Sequence, residues 1–235
     1  MGEPTWAQLP SKWILEGELT DFRWQAHKGD ATAALLILIA LCLLQNLAKL
    51  PSKRKDAPVV PGGREVRASY DALMAMTNVS RAKVSAGLKL LKHYEVIEAT
   101  ATRGVYRLTD VSTPGSWCKL PQSFLLGRVE IISFAKHLRL RSPSELDALK
   151  IYLLMLALRN RKTEDAWVGY DKIITLTGVD RNRVATAKSH LYAWGLMAER
   201  VVDVDPMGRN TGKPVTLYRI IGLSRLADAV AEAAP

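Results

Sequence analysis

With 235 residues and a formal net charge of +10, the chain can hold one large or two small domains, and its basic balance suits a nucleic-acid partner and, equally, a basic protein with solvated Lys and Arg. Both halves carry more Lys and Arg than Asp and Glu, so neither is a basic tail on a neutral domain. Two cysteines, Cys42 and Cys118, exclude a disulfide framework and fit a reducing, cytoplasmic compartment.

The chain opens on MGEPTWAQLP, which lacks the charged and apolar regions of a secretory signal. Trp6 to Leu15 reads WAQLPSKWIL, and Trp117 to Leu126 reads WCKLPQSFLL. The shared Trp-x-x-Leu-Pro pattern marks the lead-in of a repeat. Pro10 and Pro121 are expected at the first position of a short helix, where a missing N–H costs nothing. Trp6 and Trp117 are expected to pack on the core. Asp30 begins a long helix ending near Leu47. Its twelve-residue apolar run, Ala33 to Leu44, is too short to cross a bilayer, which needs about 20 residues, so it reads as a buried core helix. Residues 49–69 hold three prolines, Gly62-Gly63 and six cations, and read as a basic loop.

Tyr70 to Ile97 reads YDALMAMTNVSRAKVSAGLKLLKHYEVI, and most of it recurs one hundred residues later, in Tyr170 to Met197, as YDKIITLTGVDRNRVATAKSHLYAWGLM. Identical pairs are Tyr70/Tyr170, Asp71/Asp171, Thr77/Thr177, Val79/Val179, Arg81/Arg181, Val84/Val184 and Leu91/Leu191. A repeat of this length is one supersecondary unit used twice. In each copy a short apolar-faced helix leads into a tight turn, with Asn78 or Gly178 where a positive φ is wanted. Ser80 and Asp180 stand as N-caps of a second helix, which buries Val84, Leu88 and Leu91 at helical spacing. Two helices across such a turn form a helix-turn-helix, whose second helix enters the DNA major groove. In the first copy its outward residues are Arg81, Lys83, Ser85 and Lys89. In the second they are Arg181, Asn182, Arg183, Thr186 and Ser189. Arg and Lys suit guanine edges and phosphates, and Asn182 suits adenine.

Each unit runs into a hairpin. Val96 to Thr102 and Val105 to Leu108 flank Arg103-Gly104; Leu196 to Val204 and Val215 to Ile221 flank DPMGRNTGKP. The segment from Gly208 to Lys213 imitates a phosphate-binding loop, but three residues separate its glycines and Pro214 follows the Lys, so Arg209 and Lys213 read as phosphate contacts on a hairpin tip. Between the units, Ser142-Pro143-Ser144-Glu145 starts the counterpart of the long helix, with Leu146, Leu149, Leu153, Leu154 and Leu156 as core residues. A short helix or tail closes the chain over residues 223–235.

A helix-turn-helix followed by a hairpin resembles the winged-helix family. The pattern VSRAKV...L..L....VI is similar to that family's recognition helix and first wing strand, and the resemblance covers roughly residues 30–110 and 144–221. It implies a mainly α fold with small β-hairpin wings (α+β), as two tandem winged-helix domains related by internal duplication. Their bounds are 1–111 and 117–222, joined by a linker over 112–116. DNA contacts are then expected from Ser80, Arg81, Lys83, Ser85, Lys89 and Arg103, and from Arg181, Asn182, Arg183, Thr186, Ser189, Arg209 and Lys213.

Enzyme chemistry is not expected. The four histidines are scattered without metal-ligand spacing, there is no nucleophile elbow, and no carboxylates cluster as in a two-metal nuclease. The expected partner is double-stranded DNA, with no cofactor, no membrane and no small-molecule substrate. Self-association and contact with replication or transcription machinery stay open. Tandem winged helices in one chain look like plasmid and phage replication initiators. A transcriptional regulator of a mobile element and a winged-helix scaffold for protein contacts are the alternatives. One chain is expected to read two unequal half-sites about one helical turn, some 10 base pairs, apart.

Overall fold

The computed structural model describes residues 6–48, 64–126, 132–204 and 210–223. Helices and small antiparallel sheets combine in an α+β architecture. The first half runs β1 (Ala7–Pro10), α1 (Lys12–Leu15), a 3-10 turn (Glu18–Asp21), α2 (Trp24–His27), α3 (Gly29–Ala48), β2 (Glu65–Arg67), α4 (Tyr70–Thr77), α5 (Arg81–His93), β3 (Ile97–Ala99) and β4 (Val105–Leu108). The second half runs β5 (Trp117–Leu120), α6 (Gln122–Leu126), a 3-10 turn (Ala135–His137), α7 (Pro143–Leu158), β6 (Asp165–Ala166), α8 (Tyr170–Thr177), α9 (Arg181–Ala193), β7 (Met197–Val204) and β8 (Asn210–Ile220).

Helices α3 and α7 form the centre. Each is apolar nearly all round, which suits a helix enclosed on every side. Helix α3 outruns the apolar stretch that marked it. Gly29–Leu47 is long and apolar enough to cross a membrane, but most of it is buried inside the fold. It touches α7 and carries α4, α5, β1 and β2, while α7 carries α8 and α9. Gly87 lets α5 come close to α3: a Cβ there would lie 2.6 Å from Ile37 Cδ1 and 3.0 Å from the Ala34 nitrogen. On α7, Leu146, Leu149, Leu153, Leu154 and Leu156 are all buried, as is Cys42 on α3.

Each half closes with a three-stranded antiparallel sheet, ordered β2-β4-β3 in the first and β6-β8-β7 in the second. Hairpins lie at both expected positions, β3-β4 and β7-β8, with β8 starting at Asn210, earlier than the apolar pattern indicated. The outer strands β2 and β6 had no counterpart in the sequence reading. Strand β2 lies inside the segment read as loop, where Val66 is buried between Glu65 and Arg67.

The lead-ins differ from expectation. Pro10 ends a strand instead of starting a helix, and Ser11 stands at the N-cap of α1. Strands β1 and β5 pair with each other across the two halves, with Ala7 opposite Leu120, Gln8 opposite Lys119, Leu9 opposite Cys118 and Pro10 opposite Trp117. Trp6 and Trp117 stack on one another, centroids 5.5 Å apart, over this junction. Asn46 on α3 ties the junction down, donating to the Trp6 carbonyl at 3.0 Å and to Gln122 Oε1 at 2.7 Å. The connecting segment is fastened too, because the Ser116 carbonyl accepts from the Ser11 and Lys12 amides.

Candidate nucleic-acid interface

The candidate interface is built on α4-turn-α5 and α8-turn-α9. Thr77 and Thr177 are buried and bond back to the carbonyls of Leu73 and Ile173, closing the first helix of each pair. The chain then turns through the left-handed region at Asn78 (φ 54°) and Gly178 (φ 65°), as the Asn/Gly alternation predicted. Val79 and Val179 plug the turn into the core. Ser80 caps α5 by accepting from the Lys83 amide at 3.4 Å. Asp180 holds the matching position but makes no cap bond; its carboxylate pairs with Arg183 at 3.0 Å.

Arg81 and Arg181 project into solvent, with side chains 63% and 69% exposed. Each is tethered one helix back: Arg81 to Asp71 at 3.2 Å and Arg181 to Asp171 at 2.7 Å. Arg81 also lies over the Tyr70 ring, 5.1 Å from its centroid. Arg103, at the turn between β3 and β4, shares a cleft with Arg81, Tyr70, Asp71 and Tyr106. That cleft brings together expected contacts from the helix and from the hairpin. Lys89, Asn182, Thr186 and Ser189 are exposed on the same helices, and Ser85 is half-buried. Arg209 lies outside the described residues, as does the side chain of Lys213.

Lys83 and Arg183 are turned back onto the central helices. Lys83 Nζ meets Asp30 at 2.7 Å, and Arg183 meets the almost fully buried Asp147 on α7 at 3.3 Å. Burial raises the Asp147 carboxyl above its ordinary range, against the pull of Arg183 and Lys150. In each half, then, the cation at the first position of the helix is presented outward, and the one at the third position is drawn into an ion pair with a central helix.

Several polar groups behind the interface were not singled out from sequence. Lys188 occupies the helix position that Leu88 fills in the first copy, and is buried. It donates to Glu199 at 2.6 Å and lies over the rings of Tyr170 and Tyr218. Burial alone would lower the Lys188 ammonium, but the bonds to Glu199 and Tyr218 raise it overall. The only sequence signal was a Lys at a core-facing helical position. In the sheets, Arg107 bridges Glu65 and Glu98, while buried Asp165 receives both Arg219 and Arg200. Among the described residues no group of three His, Cys, Asp or Glu could hold a metal ion. A separate cleft lies between α1 and the first-half sheet, and mixes charges of both signs. No protein-family model, curated protein or solved structure matches the chain.

Proposed function

We propose that the chain is a non-enzymatic, sequence-specific binder of double-stranded DNA, built from two winged helix-turn-helix units related by internal duplication. The observation that carries this reading is the pair Arg81 and Arg181. Each stands in the first turn of the second helix of a helix-turn-helix, exposed, and oriented by an aspartate of the preceding helix. This is where the recognition helix of such a motif meets base edges, and Arg is the residue best suited to guanine. The matching order of elements in the two halves and the net charge of +10 support it. The role we favour is replication initiation on a plasmid, phage or other mobile element, because both units sit in one short chain. Transcriptional regulation of such an element is the alternative.

The test is a binding titration of the full chain against duplex DNA over a range of salt. Affinity should fall steeply as salt rises, because bound phosphates release counterions. A salt-independent affinity, or none for any duplex, would leave the winged-helix units to protein contacts. Initiator and regulator separate by whether selected sites occur as origin repeats or upstream of a promoter.

A further inference from the structure

Resting on the duplex-binding reading, we propose that an approximate two-fold axis relates the two recognition helices, so that one chain reads an imperfect inverted repeat and not a direct one. Duplication along a chain does not by itself fix orientation. Units stacked head to tail read direct repeats, whereas units facing one another about a dyad read inverted ones.

The contacts between the halves are those of a dyad. Take Trp6 and Trp117, Leu9 and Leu120, and Pro10 and Pro121 as counterparts. Exchanging counterparts turns the pair Ala7–Leu120 into Cys118–Leu9, which is also a pair in the ladder, and turns Gln8–Lys119 into itself. A register that maps onto itself has its axis through the Gln8–Lys119 pair. Counterparts also meet each other beside that axis: Trp6 stacks on Trp117, and α3 packs on α7. Farther out the contacts are reciprocal. The 3-10 turn of the first lead-in packs on α8, and that of the second lead-in packs on α4, where the Ile132 amide donates to the Met76 carbonyl at 2.9 Å. In a head-to-tail arrangement one of these surfaces would be engaged and its counterpart left free. The same patch is used from both sides, as in an isologous dimer.

Helices α5 and α9 follow α4 and α8 through the same turn, so the axis carries over to them. Their N-terminal turns would then enter successive major grooves with opposite polarity. The guanine matched to Arg81 and the one matched to Arg181 fall at equivalent distances from the centre of the site. Elsewhere the halves diverge: Asn182 replaces Ala82, Thr186 replaces Ala86 and Ser189 replaces Lys89. The repeat is therefore imperfect, with a position suited to adenine in one half alone.

The experiment selects bound sequences from a randomised duplex pool with the full chain. Anisotropy then compares the selected duplex with one in which a single half-site is reversed at the same centre-to-centre spacing. Selected sites should contain two half-sites of opposite orientation sharing one guanine, and reversal should weaken binding at least tenfold. Arg81→Ala and Arg181→Ala, both at exposed positions, should each relax sequence preference in a different half. Enrichment of a direct repeat, of a single undivided site, or equal affinity for the two orientations overturns the inverted arrangement while leaving duplex binding intact. Retention of no duplex overturns the duplex-binding reading and the inverted arrangement with it.

Discussion

Arg81 and Arg181 share an arrangement that an isolated helix would not supply, since Asp71 and Asp171 reach each guanidinium from the preceding helix. Ion pairs this exposed add little to stability, in the range of about 0–1 kcal/mol. On the proposed duplex-binding function their effect would belong to recognition: a guanidinium held in one orientation loses less freedom on meeting a guanine. Asp71→Asn and Asp171→Asn should therefore move two quantities in opposite directions. Affinity for random duplex rises, because a negative charge near phosphates is gone, and discrimination between target and random duplex falls. If discrimination is unchanged in both variants, the aspartates do not orient the arginines. Arg81→Ala should cost about 1–3 kcal/mol on the target. Lys89→Ala should weaken all sequences alike and reduce the salt slope by about one unit. A second residue-scale prediction concerns Lys150, buried on α7, whose Nζ donates to the Thr177 carbonyl at 2.8 Å in the last turn of α8. Burial lowers its ammonium from 10.5 to about 8, with nearby Asp147 opposing the shift. Below pH 8 both folded and unfolded chains hold the proton. Between pH 8 and 10.5 the unfolded chain keeps the proton that the folded chain releases, so this group makes stability rise with pH across that window. The rise is on the order of 3 kcal/mol at most. Lys150→Met should remove it, and urea midpoints at pH 7.5, 9 and 10.5 supply the check. Parallel profiles for variant and wild type would show that Lys150 is not the titrating group.

At the scale of elements, the two helices and the turn between them were legible in each half because their determinants are local. Apolar spacing, the Asn78 and Gly178 turn and the Ser80 cap all act within a few residues of one another. Strands β1, β5, β2 and β6 were not legible, because short strands carry little periodicity and their partners lie far along the chain. Pro10 illustrates the difficulty. Its missing amide is as compatible with the end of a strand as with the start of a helix, and only β5, more than a hundred residues away, decides. Lys83 and Arg183 failed to show their inward turn for a similar reason. Their helix position borders the core, and the acids that claim them, Asp30 and Asp147, lie on other helices. The packing of α5 on α3 also turns on one position. Gly87 faces Ala34 and Ile37, whereas its counterpart Ala187 is accommodated against α7 with its methyl buried. Gly87→Val should therefore destabilise the first half by roughly 1–3 kcal/mol through overpacking. Chemical denaturation followed by far-ultraviolet circular dichroism measures it, and an unchanged midpoint would mean that the two helices can separate without cost.

At the scale of the molecule, the short connection matters less than the exchange of lead-ins. Two domains joined only by a flexible tether would unfold independently and show two transitions. The halves of this chain share a β ladder through β1 and β5, share a helix contact through α3 and α7, and support each other's α4 and α8. Loss of either half therefore exposes surface that the other half buries. Leu73 on α4 and Ile173 on α8 are counterparts, both fully buried, one in each half. Leu73→Ala and Ile173→Ala should each cost about 2–5 kcal/mol from lost burial and the cavity left behind. Each should lower the midpoint of a single transition, because neither half persists without the other. The indole fluorophores give a probe at both ends, with Trp13 and Trp24 in the first half and Trp167 and Trp194 in the second. Fluorescence and circular dichroism should trace coincident curves for wild type and for both variants. A second transition in either variant, with the unmutated half still folded, would show that the exchanged lead-ins do not couple the halves; the chain would then consist of two independent units that happen to be adjacent.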